Sequence, residues 1–193
     1  MDATLIKLDE IAEVISGVGD ERLSSGSYRY YYYQPNSFLD ADGPISLPTL
    51  FRDEPVLEKH IVKRGDVIVK RLNHDRAYMA EETEGSTTIS QNLFIVRTSD
   101  GRCLPEYLAF LFEQQEILLQ ISQVSGTAAP IRAISVKMLH EISIPLIPLE
   151  KQRSIGALWK LSKRKQSLLK KLEAENGRLM TAVYNKYIGN EVE

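Results

Sequence analysis

From about Leu149 to Tyr187 the chain repeats apolar residues at helical spacing with no proline, which limits the architectures open to it. A heptad frame puts Ile155, Ser162, Leu169, Asn176 and Val183 at a, and Leu158, Lys165, Leu172, Leu179 and Lys186 at d. Six of these ten positions are apolar, and Leu161, Leu168 and Ala182 widen the stripe into an imperfect coiled-coil seam. Such a helix is about 57 Å long, more than the width of a small domain. It cannot bury its stripe alone. It must fold back on a domain or find a partner, and its length favours the partner. Antiparallel pairing of two identical helices closes at two copies. The expected dimer interface is therefore Ile155, Leu158, Leu169, Leu172, Leu179 and Val183. Asn176-Gly177 is a turn dipeptide inside the stretch, and an interior glycine costs ~1 kcal/mol against alanine, so a break there stays open.

Charge divides the chain at the same place. Glu150 to Tyr187 holds ten Lys/Arg and three Glu, giving +7, whereas residues 1–149 hold 14 basic and 21 acidic residues, giving −7. Two segments of opposite balance suggest two tasks. The expected organisation is a domain over residues 1–149 followed by a helical segment over residues 150–193. Hydrophobic residues at 43% and charged residues at 26% are an ordinary globular balance. Cys103 is the only cysteine, which excludes an intramolecular disulfide and a multi-cysteine zinc cluster. No apolar run approaches the ~18 residues of a membrane span. Met1-Asp2-Ala3-Thr4 shows no secretory pattern, so a cytoplasmic location is expected.

Within residues 1–149, Asp9 is placed to cap a short helix with Ile11, Val14 and Ile15 on one face and Gly17 at its end. Tyr28–Tyr33 reads as a strand, and residues 34–55, with four prolines, as an irregular connection. Further strands are expected near Ile61–Val62, Val67–Val69, Tyr78–Ala80 and Leu93–Val96. Pro105 opens a helix running to about Gln123, Ser125-Gly126-Thr127 is a loop, and Ile131–Ile134 is strand-like. Ser135 caps a short helix, and Ile144 to Leu149 is an extended, proline-bearing connector. The expected class is α/β (α+β): a mixed or antiparallel sheet with flanking helices, then the long coiled-coil-like helix.

Enzyme motifs are missing. Gly17-Val18-Gly19 is the nearest approach to a phosphate-binding loop, but Arg22 stands where the third glycine belongs, and no Gly-Lys pair exists. No lysine follows an acidic residue by two positions, as a common nuclease centre needs, and His60, His74 and His140 are scattered. No Gly-x-Ser-x-Gly elbow is present. The reading is a non-catalytic protein with no metal and no cofactor.

The segment Ser125-Gly126-Thr127-Ala128-Ala129-Pro130, then Ser135-Val136-Lys137-x-Leu139, then Ile142-x-Ile144-Pro145-Leu146-x-Pro148-Leu149-x-x-Gln152-x-x-Ile155, resembles the specificity (S) subunit of type I restriction–modification systems. Leu8-Asp9-Glu10-Ile11-Ala12-Glu13-Val14-Ile15-Ser16-Gly17 resembles the opening of a target recognition domain of that family. Gly65-Asp66-Val67-Ile68-Val69 resembles its central strand and Ser90-Gln91-Asn92-Leu93 the later one. The resemblance implies a domain that reads double-stranded DNA and a spacer helix that packs antiparallel on a second one. A full-length subunit has two of each and this chain one, so it resembles a half-subunit. The implied partners are a methyltransferase (modification) subunit and, where the system has one, a restriction subunit. A homodimer would read a bipartite target. The alternative is a protein-interaction module that uses its C-terminal helix and has lost DNA binding.

Candidate DNA contacts follow from side-chain chemistry. Strand alternation puts Arg29, Tyr31 and Tyr33 on one face, where the alternative to base or phosphate contact is core packing. Lys70, Arg71, Asn73, His74 and Arg76 form the densest basic patch of an acidic segment. Arg with guanine and Asn with adenine are major-groove pairings, although a solvated loop explains the patch equally simply. Gln91 and Asn92 share that chemistry, and Thr127 is a candidate phosphate contact.

Overall fold

Val67-Ile68-Val69 and Leu93-Phe94-Ile95-Val96 are apolar at every position, so a sheet containing them must be covered on both faces. It is. The computed structural model describes residues 3–19, 25–38, 47–72, 76–81, 85–124 and 133–187. In chain order these form β1 (Thr4–Lys7), a 3-10 turn at Leu8–Glu10, β2 (Ala12–Ser16), β3 (Tyr28–Tyr33), a 3-10 turn at Pro35–Phe38, β4 (Thr49–Arg52) and a 3-10 turn at Glu58–His60. There follow β5 (Val67–Lys70), β6 (Ala77–Met79), β7 (Thr87–Ile89), β8 (Leu93–Thr98), α1 (Pro105–Phe112), α2 (Gln115–Val124), α3 (Val136–His140), β9 (Ser143–Leu146) and α4 (Leu149–Tyr187).

The central sheet is antiparallel in the order β2-β8-β5-β6, and a mixed three-stranded sheet, β4-β3-β7, lies beside it. Period-two alternation sorts the central strands. Val14, Val67, Val69, Phe94 and Val96 join α1, α2 and α3 in the main core. Ile15, Ile68, Leu93 and Ile95 enter a second core with Tyr33, Val62 and Ile89. The class is thus the mixed α/β one with a long terminal helix.

Several local expectations are corrected. The segment after Asp9 is a 3-10 turn and then β2, not a helix, because Val14 and Ile15 serve opposite cores and β8 pairs with Ala12 through Ser16. Residues 34–55 hold a strand: β4 pairs antiparallel with β3. At Ile61–Val62 only one bridge forms, Ile61 with Thr88. The helix expected over 105–123 is two helices, since Glu113 and Gln114 close on Phe110 and Leu111 through tighter bonds of 3.1 and 2.9 Å. The connector before α4 is β9, an antiparallel partner of β1. Pro145 is tolerated because this ladder has only two strands. The loop at 125–127 and the first two residues of the strand-like 131–134 lie outside the described residues.

Gly65 closes the turn before β5 at φ +88°, a conformation that favours glycine. Ser135 caps α3 as expected, accepting from the Met138 amide. α4 is a single helix of 39 residues with no break at Asn176-Gly177. Its first four turns are anchored to the body. Gln152, 1% exposed, accepts from the Leu104 amide at 2.9 Å and donates to the Arg102 and Ile147 carbonyls at 2.9 and 2.8 Å. At Gly156 the helices nearly touch: a Cβ there would stand 2.6 Å from the Glu106 Cβ.

Three acidic protons are locked into this body. Burial pushes the Cys103 thiol up to about 12. It pushes the Tyr107 hydroxyl, which donates to the Pro145 carbonyl at 2.6 Å, to about 12 as well. The Tyr33 hydroxyl is raised further by burial and by Tyr78. The unfolded chain releases these protons first, from about pH 9–10, so it binds fewer protons than the fold and stability falls as pH rises. Urea midpoints measured by circular dichroism should hold level to about pH 9 and then drop toward pH 12; a midpoint that rises above pH 9 contradicts this.

Candidate nucleic-acid interface

The end of β5 brings one group of expected residues together. Arg71 Nη2 donates to Ser16 Oγ at 2.9 Å and its Nε donates to the Gln91 carbonyl at 3.0 Å. Its guanidinium also lies 4.6 Å from the Phe94 ring centroid. The Arg71 amide donates to the Asn92 carbonyl at 2.9 Å. Arg71 therefore ties the Gln91-Asn92 turn to the edge of β2 through its Nε and one Nη2 hydrogen. Gln91 and Asn92 themselves are exposed in the turn between β7 and β8.

A second group faces the opposite way. Lys70 and Arg76 line a groove of about 1230 Å³ between the β5–β6 edge and α4. Arg64 joins them from the turn before β5, and Arg164, Lys170 and Lys171 enter from α4. Sequence reasoning did not place Arg64 or these helix residues in a site. The excess charge of the helix was the available signal, but nothing in one dimension says which wall it faces. The acids nearby are committed to holding α4 down. Glu113 receives Trp159 Nε1 at 2.9 Å and Lys163 Nζ at 2.6 Å, and Lys160 lies 3.1 Å from Glu106 and 3.4 Å from Glu81. Among the described residues, Arg64, Lys70, Arg76 and Arg164 carry no ion pair with the protein.

The tyrosine strand divides unexpectedly. Tyr30 and Tyr32 are core residues of the three-stranded sheet, and the Tyr30 hydroxyl accepts from the Val56 amide at 3.0 Å. Tyr33 lies on the face expected to meet DNA, yet it is 3% exposed and packs against Tyr78 with ring centroids 5.8 Å apart. That removes it from any surface a duplex reaches, because β3 runs beneath the central sheet at this point. Arg29 is exposed and Tyr31 half-buried, and the Arg29 guanidinium lies 6.0 Å from the Tyr31 ring centroid. Asn73, His74 and Thr127 lie outside the described residues.

α4 has two dissimilar faces. Gln152, Gly156, Trp159 and Lys163, spaced by four, three and four, meet the body. At about 100° per residue the Leu158–Leu172 stripe lies on the side away from the body. Leu158, Leu169, Leu172, Leu179 and Val183 are all exposed, whereas Ile155 packs partly against the main core. Among the described residues no three metal-ligating side chains converge, and no helix is long and apolar enough to cross a membrane.

No family model matches the chain, and no curated protein matches it by sequence. Solved structures do match its fold. A chain of a type I R-M system, solved in a study of complex assembly and conformational transition, is similar over 95% of this chain at 22% identity with a TM-score of 0.64. The HsdS subunit from Thermoanaerobacter tengcongensis is similar over 95% at 23% identity, TM-score 0.59. The type I restriction–modification S subunit from M. genitalium is similar over 100% at 14% identity, TM-score 0.63. This chain spans 45%, 44% and 47% of their respective lengths. It has the fold of one half of such a subunit.

Proposed function

We propose that the chain is the DNA-reading half of a type I specificity subunit. Residues 1–149 read bases in double-stranded DNA, and residues 150–193 pair two copies through α4. It is non-catalytic and presents a bipartite target to a methyltransferase subunit and, where the system has one, to a restriction subunit. The observation that carries this reading is the uncovered leucine stripe of α4, on a body whose fold matches part of such subunits. Two copies joined antiparallel along that stripe would hold two readers at opposite ends of a paired helix.

The side chains suited to base edges are Gln91 and Asn92, held in place by Arg71 as a positioning residue, with Arg29 and Tyr31 on the neighbouring sheet. Lys70 and Arg76 suit phosphates. A pair related by a two-fold axis sees inverted half-sites, so the target is a palindrome around an unread spacer. Selection from randomised duplexes, with and without the cognate modification subunit, should enrich one such motif. Featureless enrichment in both arms overturns the reading.

A further inference from the structure

We propose that the basic groove between α4 and the β5–β6 edge is a track for the sugar–phosphate backbone of the duplex. This rests on the DNA-reading function and assigns to α4 a share in it: the helix supplies affinity as well as pairing. The body carries −7 over residues 1–149, a poor balance for holding a polyanion. The groove reverses that balance locally. It is lined by Arg64, Lys70 and Arg76 on one wall and Arg164, Lys170 and Lys171 on the other.

The two walls come from segments far apart in sequence, and they converge because Gln152, Gly156 and Trp159 dock α4 and the Glu113–Lys163 and Glu106–Lys160 pairs hold it there. Those ion pairs consume the nearby carboxylates, while Arg64, Lys70, Arg76 and Arg164 line the groove without an ion pair among the described residues. From Lys160 to Lys171 the helix rises about 17 Å, the length of roughly five phosphates along one strand. A single phosphate would need its cations converging on one point. Cations distributed along both walls suit a regularly charged polymer instead. Contacts of this type fix register and add affinity without reading sequence.

The test is the salt dependence of binding. A mixed-sequence duplex of about 30 base pairs is titrated with the full chain from 50 to 200 mM salt. Removing one cation that neutralises a phosphate should reduce the slope of log K against log salt by about 0.9. Arg64→Gln with Arg76→Gln and Arg164→Gln should therefore reduce it by about 2.7. Arg164→Gln alone, on an exposed helical turn, should reduce it by about 0.9 and tests the groove even where the triple variant is destabilised. Lys137→Gln with Lys151→Gln and Arg153→Gln removes the same charge from exposed positions outside the groove and should leave the slope unchanged. The motif enriched in selection should be the same for the groove variant and the parent. A slope unaltered in the groove variant overturns the groove proposal alone; a selection without any motif overturns the reading beneath it. A groove variant that loses affinity for poly-glutamate but not for the duplex overturns the proposal in favour of an acidic protein partner.

Discussion

Asp66→Ala should lower the free energy of unfolding by about 3–5 kcal/mol, a large part of the whole for a domain of this size. The Asp66 side chain, immediately before β5, is 2% exposed. Its two oxygens accept from Arg97 Nε at 2.8 Å and Arg97 Nη2 at 2.7 Å, and Oδ2 also accepts from the Lys63 amide at 2.7 Å. Arg97 Nη2 donates in addition to the Ile61 carbonyl at 2.9 Å, so one pair joins β5, β8 and the segment before the Gly65 turn. Most of the cost comes from leaving a guanidinium largely buried without its counter-charge, not from losing the attraction itself. Replacing both partners, Asp66→Leu with Arg97→Met, should therefore recover much of the loss. Guanidinium unfolding followed by circular dichroism separates the cases; a double variant no better than Asp66→Ala would show that the attraction dominates.

Legibility tracked how local the determining interactions are. β5 and β8 were readable because each is a short apolar run between turn residues, and α4 because its period persists over 39 residues. β2 was misread because Ile11, Val14 and Ile15 fit a helical face as well as a strand over so short a span, and only β8 resolves the choice. β1 and β9 are invisible until residues 4–7 and 143–146 are brought together. The same holds for the site. Arg71 has the chemistry of a base contact, but its guanidinium is held by a serine 55 positions away. Tyr33 has the alternation of a surface residue, but a second sheet covers it. The groove has no sequence signature because its walls lie in separate segments. What the sequence did carry was the disparity in charge, which the fold turns into a basic wall facing the body.

If the proposed pairing holds, Leu169→Asp with Leu172→Asp should convert the dimer at micromolar concentration into a monomer and abolish recognition of the proposed two-part site while leaving the body folded. The two leucines are 54% and 57% exposed on the single chain, on the side of α4 away from Gln152, Gly156 and Trp159. Neither leucine belongs to a core of the body, so the body should stay folded by circular dichroism, with an unfolding midpoint lowered only by the stabilisation that pairing supplied. In an isologous pair each substitution acts twice. Four leucines withdrawn from an interface, at about 1.5 kcal/mol each, amount to about 6 kcal/mol, or some four decades in the dimer constant, before the repulsion of the new carboxylates is counted. The seam has little reserve against this, since Lys165 and Lys186 already occupy d positions. The monomer keeps the Gln91-Asn92 turn, but Leu169 lines the groove and its new carboxylate faces the cations there, so the variant should bind a duplex more weakly than one parent reader and select at most a half-site. Light scattering and selection read the two consequences separately. A wild-type chain that is monomeric at micromolar concentration without a modification subunit rejects the pairing, and a non-palindromic motif rejects its two-fold symmetry.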